Sequence, residues 1–96
     1  MVDDETLATV RLLHYPVQYE RDPASPAAVA WVVEDVIDGD ATGQSRADYL
    51  EDIQRALATD EDLAAKLEVD VHTDAQIRAY LRAVAARIDP SSGTAR

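Results

Sequence analysis

The sequence predicts an all-α protein in which four to five helices form a small bundle, as one domain over residues 1–89. Apolar side chains recur at intervals of three and four residues in several stretches, which is the spacing of one helix face. Serine or threonine precedes these stretches, where a helix N-cap belongs. Alanine is frequent and phenylalanine is absent, which favours helix over sheet and a core of valine, leucine, isoleucine and tyrosine.

The first stretch, residues 3–14, has acidic residues in the first turn of a possible helix and apolar residues along one side. Residues 10–19 also hold enough β-branched and aromatic side chains to run extended, so both conformations stay open. Pro16 ends any helix there, and residues 19–25 form a connection. We expect residues 90–96 to be a disordered C-terminal tail.

The second helix begins at Ser25, because Pro26 suits the first helical position, where its missing N–H is no loss. It ends at Gly39, a common C-terminal stop. The predicted buried stripe of this helix is Val29, Val32, Val33, Val36 and Ile37. Trp31 lies opposite that stripe on a helical wheel. It is either covered by the segment that contains Tyr15, Pro16 and Tyr19, as large aromatics are mostly buried, or exposed as a binding anchor.

Two further helix starts carry a capping pattern. Ser45 with Asp48 begins a third helix that runs to Leu57 or Ala58. The predicted core side of that helix is Leu50, Ile53 and Leu57. Thr59 with Asp62 predicts a short fourth helix, which contains Leu63, Ala64 and Leu67.

The clearest helix spans residues 73–89 and is expected at the centre of the bundle. Thr73 and Gln76 can form a reciprocal capping box, and Asp89 precedes a proline, which pushes it out of the α region. The apolar stripe of this helix is Ile77, Tyr80, Leu81, Val84 and Ile88. A second ridge of small residues, Ala75, Ala79, Ala83 and Ala86, is compatible with a homodimer.

The net charge of −10 is unevenly distributed. Residues 34–74 contain thirteen acids and three cations, whereas the net charges before and after that segment cancel. A negative field attracts basic partners and repels phosphates, although acidity can also serve solubility alone. If the acidic segment binds a basic protein, the candidate contact residues are Trp31, Glu34, Asp35, Asp38, Glu51, Asp52, Asp60 and Glu61.

The loop at residues 38–43 resembles the first half of an EF-hand calcium loop, with oxygen ligands at positions one, three and five and glycine at position six. Tyr49 occupies the twelfth position, where the bidentate glutamate belongs, and Arg46 the ninth, so we predict no metal site. Asp38 and Asp40 also resemble the nucleophile motif of haloacid-dehalogenase-like phosphatases. That family requires a strand before the motif and a much larger domain, so the motif is not assigned.

Residues 62–69 resemble the first half of a bacterial helix-turn-helix, Leu-Ala-x-x-Leu-Gly-Val, with Glu68 in place of the turn glycine. The resemblance implies a DNA-binding regulator that uses residues 62–88 and places its second helix in the major groove. The side chains that would then contact DNA are Gln76, Arg78 and Arg82.

Catalysis is not predicted. There is no cysteine, and His14 and His72 are not expected to form a site, so we predict no cofactor. The longest uncharged run, residues 23–33, is shorter than the roughly 20 residues of a membrane helix, and the N-terminus is acidic, unlike a signal peptide. We expect a cytoplasmic, non-catalytic protein that binds a basic protein surface, in the manner of small acidic inhibitors, immunity proteins or adaptors, with DNA binding as the alternative.

Overall fold

A computed structural model describes residues 2–39 and 43–89, and the secondary structure in these ranges is helical, without a strand. The five α-helices are α1 Asp4–His14, α2 Pro26–Val32, α3 Arg46–Ala58, α4 Leu63–Leu67 and α5 Asp74–Ile88. The predicted all-α fold is therefore confirmed. The predicted C-terminal tail, residues 90–96, lies outside the described residues.

Helix α5 is the central helix of the bundle, since it packs against α2, α3 and α4. Every residue of its predicted apolar stripe is buried. Tyr80 of that stripe is fully buried, and its hydroxyl donates a hydrogen bond to the Leu13 carbonyl oxygen of α1 at 2.5 Å. Burial also raises the pKa of Tyr80, so the phenol stays a donor. The apolar face of α5 thus packs against its neighbours, and the buried hydroxyl of Tyr80 joins it to α1.

The first stretch is helical rather than extended up to His14, and Pro16 lies in a 3₁₀ turn, Tyr15–Val17, that follows α1. The side chain of Asp3 caps α1 by accepting the Thr6 N–H at 2.8 Å. This cap and the acidic first turn stabilise the helix from its N-terminal end. The extended alternative covered residues 10–19, and residues 10–14 of that range are the last residues of α1.

Three predicted caps are present and one is displaced. Ser25 caps α2, and the capping boxes at Ser45 and Thr73 begin α3 and α5. The predicted cap at Thr59 is wrong: the Thr59 hydroxyl instead accepts the Glu61 N–H at 3.3 Å. Asp62 caps α4 by accepting the Ala65 N–H at 3.2 Å. The local Thr59 turn therefore moves the helix start three residues along the chain.

Helix α2 continues into a π-helical turn, Val33–Ile37, whose last hydrogen bond runs from the Asp38 N–H to the Val33 carbonyl at 2.8 Å. Gly39 follows, as predicted for the helix stop. A Cβ atom at this position would lie 2.4 Å from the Asp35 carbonyl oxygen, so a side chain does not fit. Val33 and Ile37 are buried, whereas Val36 of the predicted stripe is only partly buried.

Helix α4 ends in a Schellman motif with Glu68 in the left-handed conformation, at φ 59 and ψ 42. The Glu68 N–H bonds to the Ala65 carbonyl at 3.1 Å, and the Val69 N–H bonds to the Ala64 carbonyl at 3.0 Å. This is the position where the helix-turn-helix resemblance expects glycine. The backbone there adopts the conformation that glycine favours, although the side chain is glutamate.

Replacing Glu68 with glycine is therefore expected to stabilise the protein by about 0.5–1 kcal/mol, because glycine lacks the Cβ that opposes this conformation. The free energy of unfolding in urea measures the effect. Glu68→Ala is the matched control, since it removes the same charge and keeps the Cβ atom. Equal free energies for the two variants would contradict the backbone explanation.

Candidate binding surface

Trp31 lines an open groove of about 220 Å³ between α2 and the segment that follows α1. We call it the Trp31 groove; its residues are Pro16, Val17, Glu20, Ala27, Ala28 and Trp31. The exposed fraction of Trp31 is 49%, whereas Val17 is fully buried. The groove therefore has an apolar floor that belongs to the core and an indole wall that faces solvent.

The segment at residues 15–20 flanks Trp31 without covering it. Pro16 and Val17 line the groove, but half of the indole stays exposed, and Tyr15 and Tyr19 of the same segment are 71% and 89% exposed. The proposed cover is thus only partial. Three large aromatic side chains face solvent from α2 and the segment beside it, as an interface anchor would.

The acidic residues near Trp31 differ in how far they are neutralised. Asp38 accepts two hydrogen bonds from Arg46, at 2.8 and 2.7 Å, and these lower the pKa of Asp38. Glu34 lies 3.9 Å from Arg87. Asp35 of the π-helical turn and Glu20 of the groove are exposed, and neither forms an ion pair with another described residue. Their charges remain available to a partner.

Among the more distant predicted contact residues, only Asp60 is exposed and without an ion pair in the described part of the chain. Glu51 pairs with Arg55. Glu61 pairs with Lys66 at 2.8 Å and accepts the Val2 N–H at 2.9 Å; these contacts lower the pKa of Glu61 to about 2. Glu51 is therefore paired within α3, and Glu61 joins the N-terminal segment to the start of α4.

Asp52 lies inside the bundle, not on the predicted contact surface. It is only 4% exposed, and its carboxylate accepts a hydrogen bond from the Thr9 hydroxyl at 2.7 Å. Tyr49 and Ile53 are fully buried on the same face of α3, whereas Leu50 and Leu57 are partly buried. The core face of α3 is thus centred one position before the predicted one, and Asp52 joins α3 to α1.

The DNA-binding alternative assigned base contacts to three side chains of α5. Gln76 completes the capping box by accepting the Thr73 N–H at 2.9 Å, and Arg78 is 15% exposed with its guanidinium bonded within the protein. Arg82 is exposed. The turn between α4 and α5 spans residues 68–73, longer than the three or four residues of a typical helix-turn-helix.

The ridge predicted for a homodimer is uneven. Ala75 and Ala79 are exposed, whereas Ala83 and Ala86 are partly buried. Ala86 lines a cavity of about 370 Å³ together with Glu34 and Arg87. The homodimer stays a prediction.

Residues 2–39 and 43–89 contain no cluster of three or more histidine or acidic side chains placed to hold a metal ion. Three residues of the loop that resembles an EF-hand, 40–42, lie outside these ranges. The first residue of that loop, Asp38, is bonded to Arg46 instead. Its carboxylate therefore already has a cation, and that cation is the side chain at the ninth loop position.

The two histidines, which sequence reasoning treated separately, form a buried pair. His14 ends α1 and His72 precedes α5; they are 3% and 4% exposed. The Nε2 atom of His14 lies 2.8 Å from Nδ1 of His72, and Nε2 of His72 lies 2.5 Å from the Glu20 carbonyl oxygen. The histidine pair therefore links α1, the loop before α5 and one wall of the Trp31 groove. Their separation of 58 positions leaves no local sequence signal for the pair.

None of the helices in residues 2–39 and 43–89 combines the length and the apolar character needed to cross a bilayer. Comparison of the chain with protein-family models, with curated proteins and with solved structures gave no match.

Proposed function

We propose that this protein is a cytoplasmic, non-catalytic binding module whose Trp31 groove takes a basic segment of a partner protein. The observation that carries the proposal is a half-exposed tryptophan beside an apolar groove, with the unpaired carboxylates of Glu20 and Asp35 on the adjoining segments. Tryptophan and tyrosine are enriched among the residues that contribute most to interface affinity, and Tyr15 and Tyr19 are exposed close by in sequence.

The size of the groove favours a side chain over a cofactor. Its volume of about 220 Å³ is below the roughly 300–1,000 Å³ of typical small-molecule sites. An apolar side chain of a partner would contact the alanines of α2 and the buried Val17 at the floor. The indole of Trp31 would cover it from one side.

The charge of the surface favours a basic partner. The chain carries a net charge of −10, and Glu20 lies in the groove itself. An arginine next to the bound apolar side chain could pair with Glu20 and stack on the face of Trp31, an arrangement that suits its planar, weakly hydrated guanidinium. Recognition would thus combine one apolar anchor with flanking cations.

Trp31 is the sole tryptophan of the chain, so its fluorescence reports on the groove directly. The test is a titration with short tryptophan-free peptides that carry one leucine among arginines. We expect a saturable shift of Trp31 emission to shorter wavelength, because binding removes the indole from water. We also expect the affinity to fall as salt is added.

Peptides of the same length with glutamate in place of arginine are the matched control. A response to the acidic peptides as strong as to the basic ones, or no response to any basic peptide, would refute the proposal. A pull-down with the whole protein, with and without nuclease, then identifies the natural partner. Material that is lost after nuclease treatment would favour the DNA-binding alternative instead.

A further inference from the structure

The protons of the histidine pair can be assigned from its partners. The Glu20 carbonyl can only accept, so Nε2 of His72 must carry a proton. One proton then lies between the two rings. In the neutral pair it belongs to Nε2 of His14, which donates to Nδ1 of His72 across 2.8 Å.

The pair can hold one added proton but not two. With one, Nε2 of His72 keeps its proton, one proton still lies between the two facing nitrogens, and the added proton is on Nδ1 of His14. With two, both facing nitrogens carry a proton and no acceptor lies between them. Two buried cations would then repel each other across a hydrogen-bond distance, so the second protonation requires the rings to separate.

The surroundings do not compensate a charge on the pair. Charged and titratable groups on the elements that hold or contact the pair include Arg11, Tyr15, Tyr19, Glu20, Lys66, Glu68, Asp70, Asp74, Arg78 and Tyr80. The Glu20 and Asp70 side chains are exposed, Asp74 pairs with Arg78, and the Tyr80 hydroxyl bonds to the Leu13 carbonyl. Among the described residues no carboxylate bonds to either imidazole.

The groove depends on this pair. Within residues 15–20 the backbone bonds are local, such as the Glu20 N–H to the Val17 carbonyl at 2.9 Å. Of the hydrogen bonds among described residues, the one from His72 to the Glu20 carbonyl is the side-chain bond that ties this segment to the rest of the protein. Loss of that bond leaves mainly the burial of Val17 to hold the groove wall.

We propose that the histidine pair is a proton switch for the Trp31 groove, closed while it holds at most one added proton and opened in mild acid by the second. Hydration of the charged imidazoles pulls His72 away from the Glu20 carbonyl, and residues 15–20 then move away from Trp31. This inference deepens the proposed function, because it assigns a regulation to the same groove.

The direction of the pH dependence follows from linkage. Burial, followed by the charge of His72, lowers the pKa of His14 from its ordinary value of 6.5. The open state therefore binds more protons than the closed state. Above pH 6.5 the closed state is fully favoured. It loses stability as the pH falls from 6.5 through the lowered pKa of His14. Asp38 titrates separately, because its pKa is lowered from 3.8.

The experiment follows Trp31 emission of the free protein between about pH 7.5 and pH 5, the range in which histidine titrates. We expect a shift to longer wavelength with a midpoint below 6.5. The double variant His14→Gln/His72→Gln is the control, because glutamine keeps a donor and an acceptor at each position but does not titrate. It should show no transition in this range. A flat wild-type profile, or the same transition in the double variant, would overturn the switch.

If the double variant does not fold, nuclear magnetic resonance of the wild-type protein tests the switch instead. The indole N–H of Trp31 should shift with the same midpoint as one ring-proton step of the histidine pair, whereas an indole midpoint that matches no histidine step would overturn the coupling. Binding of the basic peptide should weaken by at least about 5-fold in acid. If no peptide binds at any pH, the proposed function fails, while the emission of the free protein still tests the switch.

Discussion

Arg78→Ala is expected to lower the free energy of unfolding by about 3 kcal/mol, since it removes one charge from a largely buried, multiply bonded site. The Nε of Arg78 donates to the Asp74 carboxylate at 2.8 Å. The rest of its guanidinium donates to three backbone carbonyl oxygens: Leu57 at 3.2 Å, Thr59 at 2.8 Å and Glu61 at 2.8 Å. One side chain of α5 thereby binds the end of α3 and the connection to α4.

The loss is large because the alanine variant leaves these acceptors without their donor. The Asp74 carboxylate would keep only the Leu63 N–H, at 2.7 Å, and three carbonyls would need water where the packed side chain now lies. Lysine at this position would restore the charge but not the planar fork, so Arg78→Lys should recover less than half of the loss.

Urea unfolding followed by circular dichroism measures the effect. Arg82→Ala is the matched control, because Arg82 lies one turn further along α5 and is exposed; we expect it to change stability by less than about 0.5 kcal/mol. Similar losses for both variants would mean that the bonds to the backbone carbonyls contribute little. The sequence interpretation assigned Arg78 to a DNA contact, whereas its bonds within the protein predict that Arg78→Ala lowers stability.

Local patterns predicted most of the fold. The capping boxes at Ser45 and Thr73 depend on residues three positions apart, and the stripe of α5 depends on helical periodicity, so both are visible in a single stretch of sequence. The cap of α4 was misplaced because two capping residues, Thr59 and Asp62, stand three positions apart and only the tertiary structure selects between them.

Contacts between distant stretches could not be predicted in this way. An arginine four residues after Asp74 indicates an ordinary ion pair on a helix surface, and nothing local shows that its other nitrogens reach carbonyls 17 to 21 positions earlier. The burial of Asp52 likewise depends on Thr9, 43 positions away. The polar contacts that join the helices were therefore invisible in the sequence, and two of them involve residues that had been assigned to binding surfaces.

The candidate surface was predicted in part. The helical wheel placed Trp31 opposite the buried valines, and its half-exposed position agrees with that geometry. The acidic segment, however, was treated as one surface. In the folded protein, Asp38, Glu51 and Glu61 form ion pairs, and Asp52 is buried. Asp35, near the groove, and Asp60, away from it, are exposed without an ion pair among the described residues. Glu20 lines the groove but was not among the predicted contacts.

Trp31→Ala is expected to weaken binding of the basic peptide by about 30-fold or more, which corresponds to roughly 2 kcal/mol, the usual threshold for an interface hot spot. The substitution removes the solvent-facing wall of the groove and the aromatic face available to an arginine. Because half of the indole is already exposed, we expect a smaller loss of folding stability, about 1 kcal/mol.

Isothermal titration calorimetry measures this affinity without relying on the tryptophan signal. Val71→Ala is the matched control: Val71 is 51% exposed, close to the exposed fraction of Trp31, but does not line the groove, so its loss should leave the affinity unchanged. Glu20→Gln should weaken binding less than Trp31→Ala and should reduce the salt dependence, because it removes one charge and keeps the shape of the groove. An affinity that is the same for wild type and Trp31→Ala would place the partner surface elsewhere on the protein.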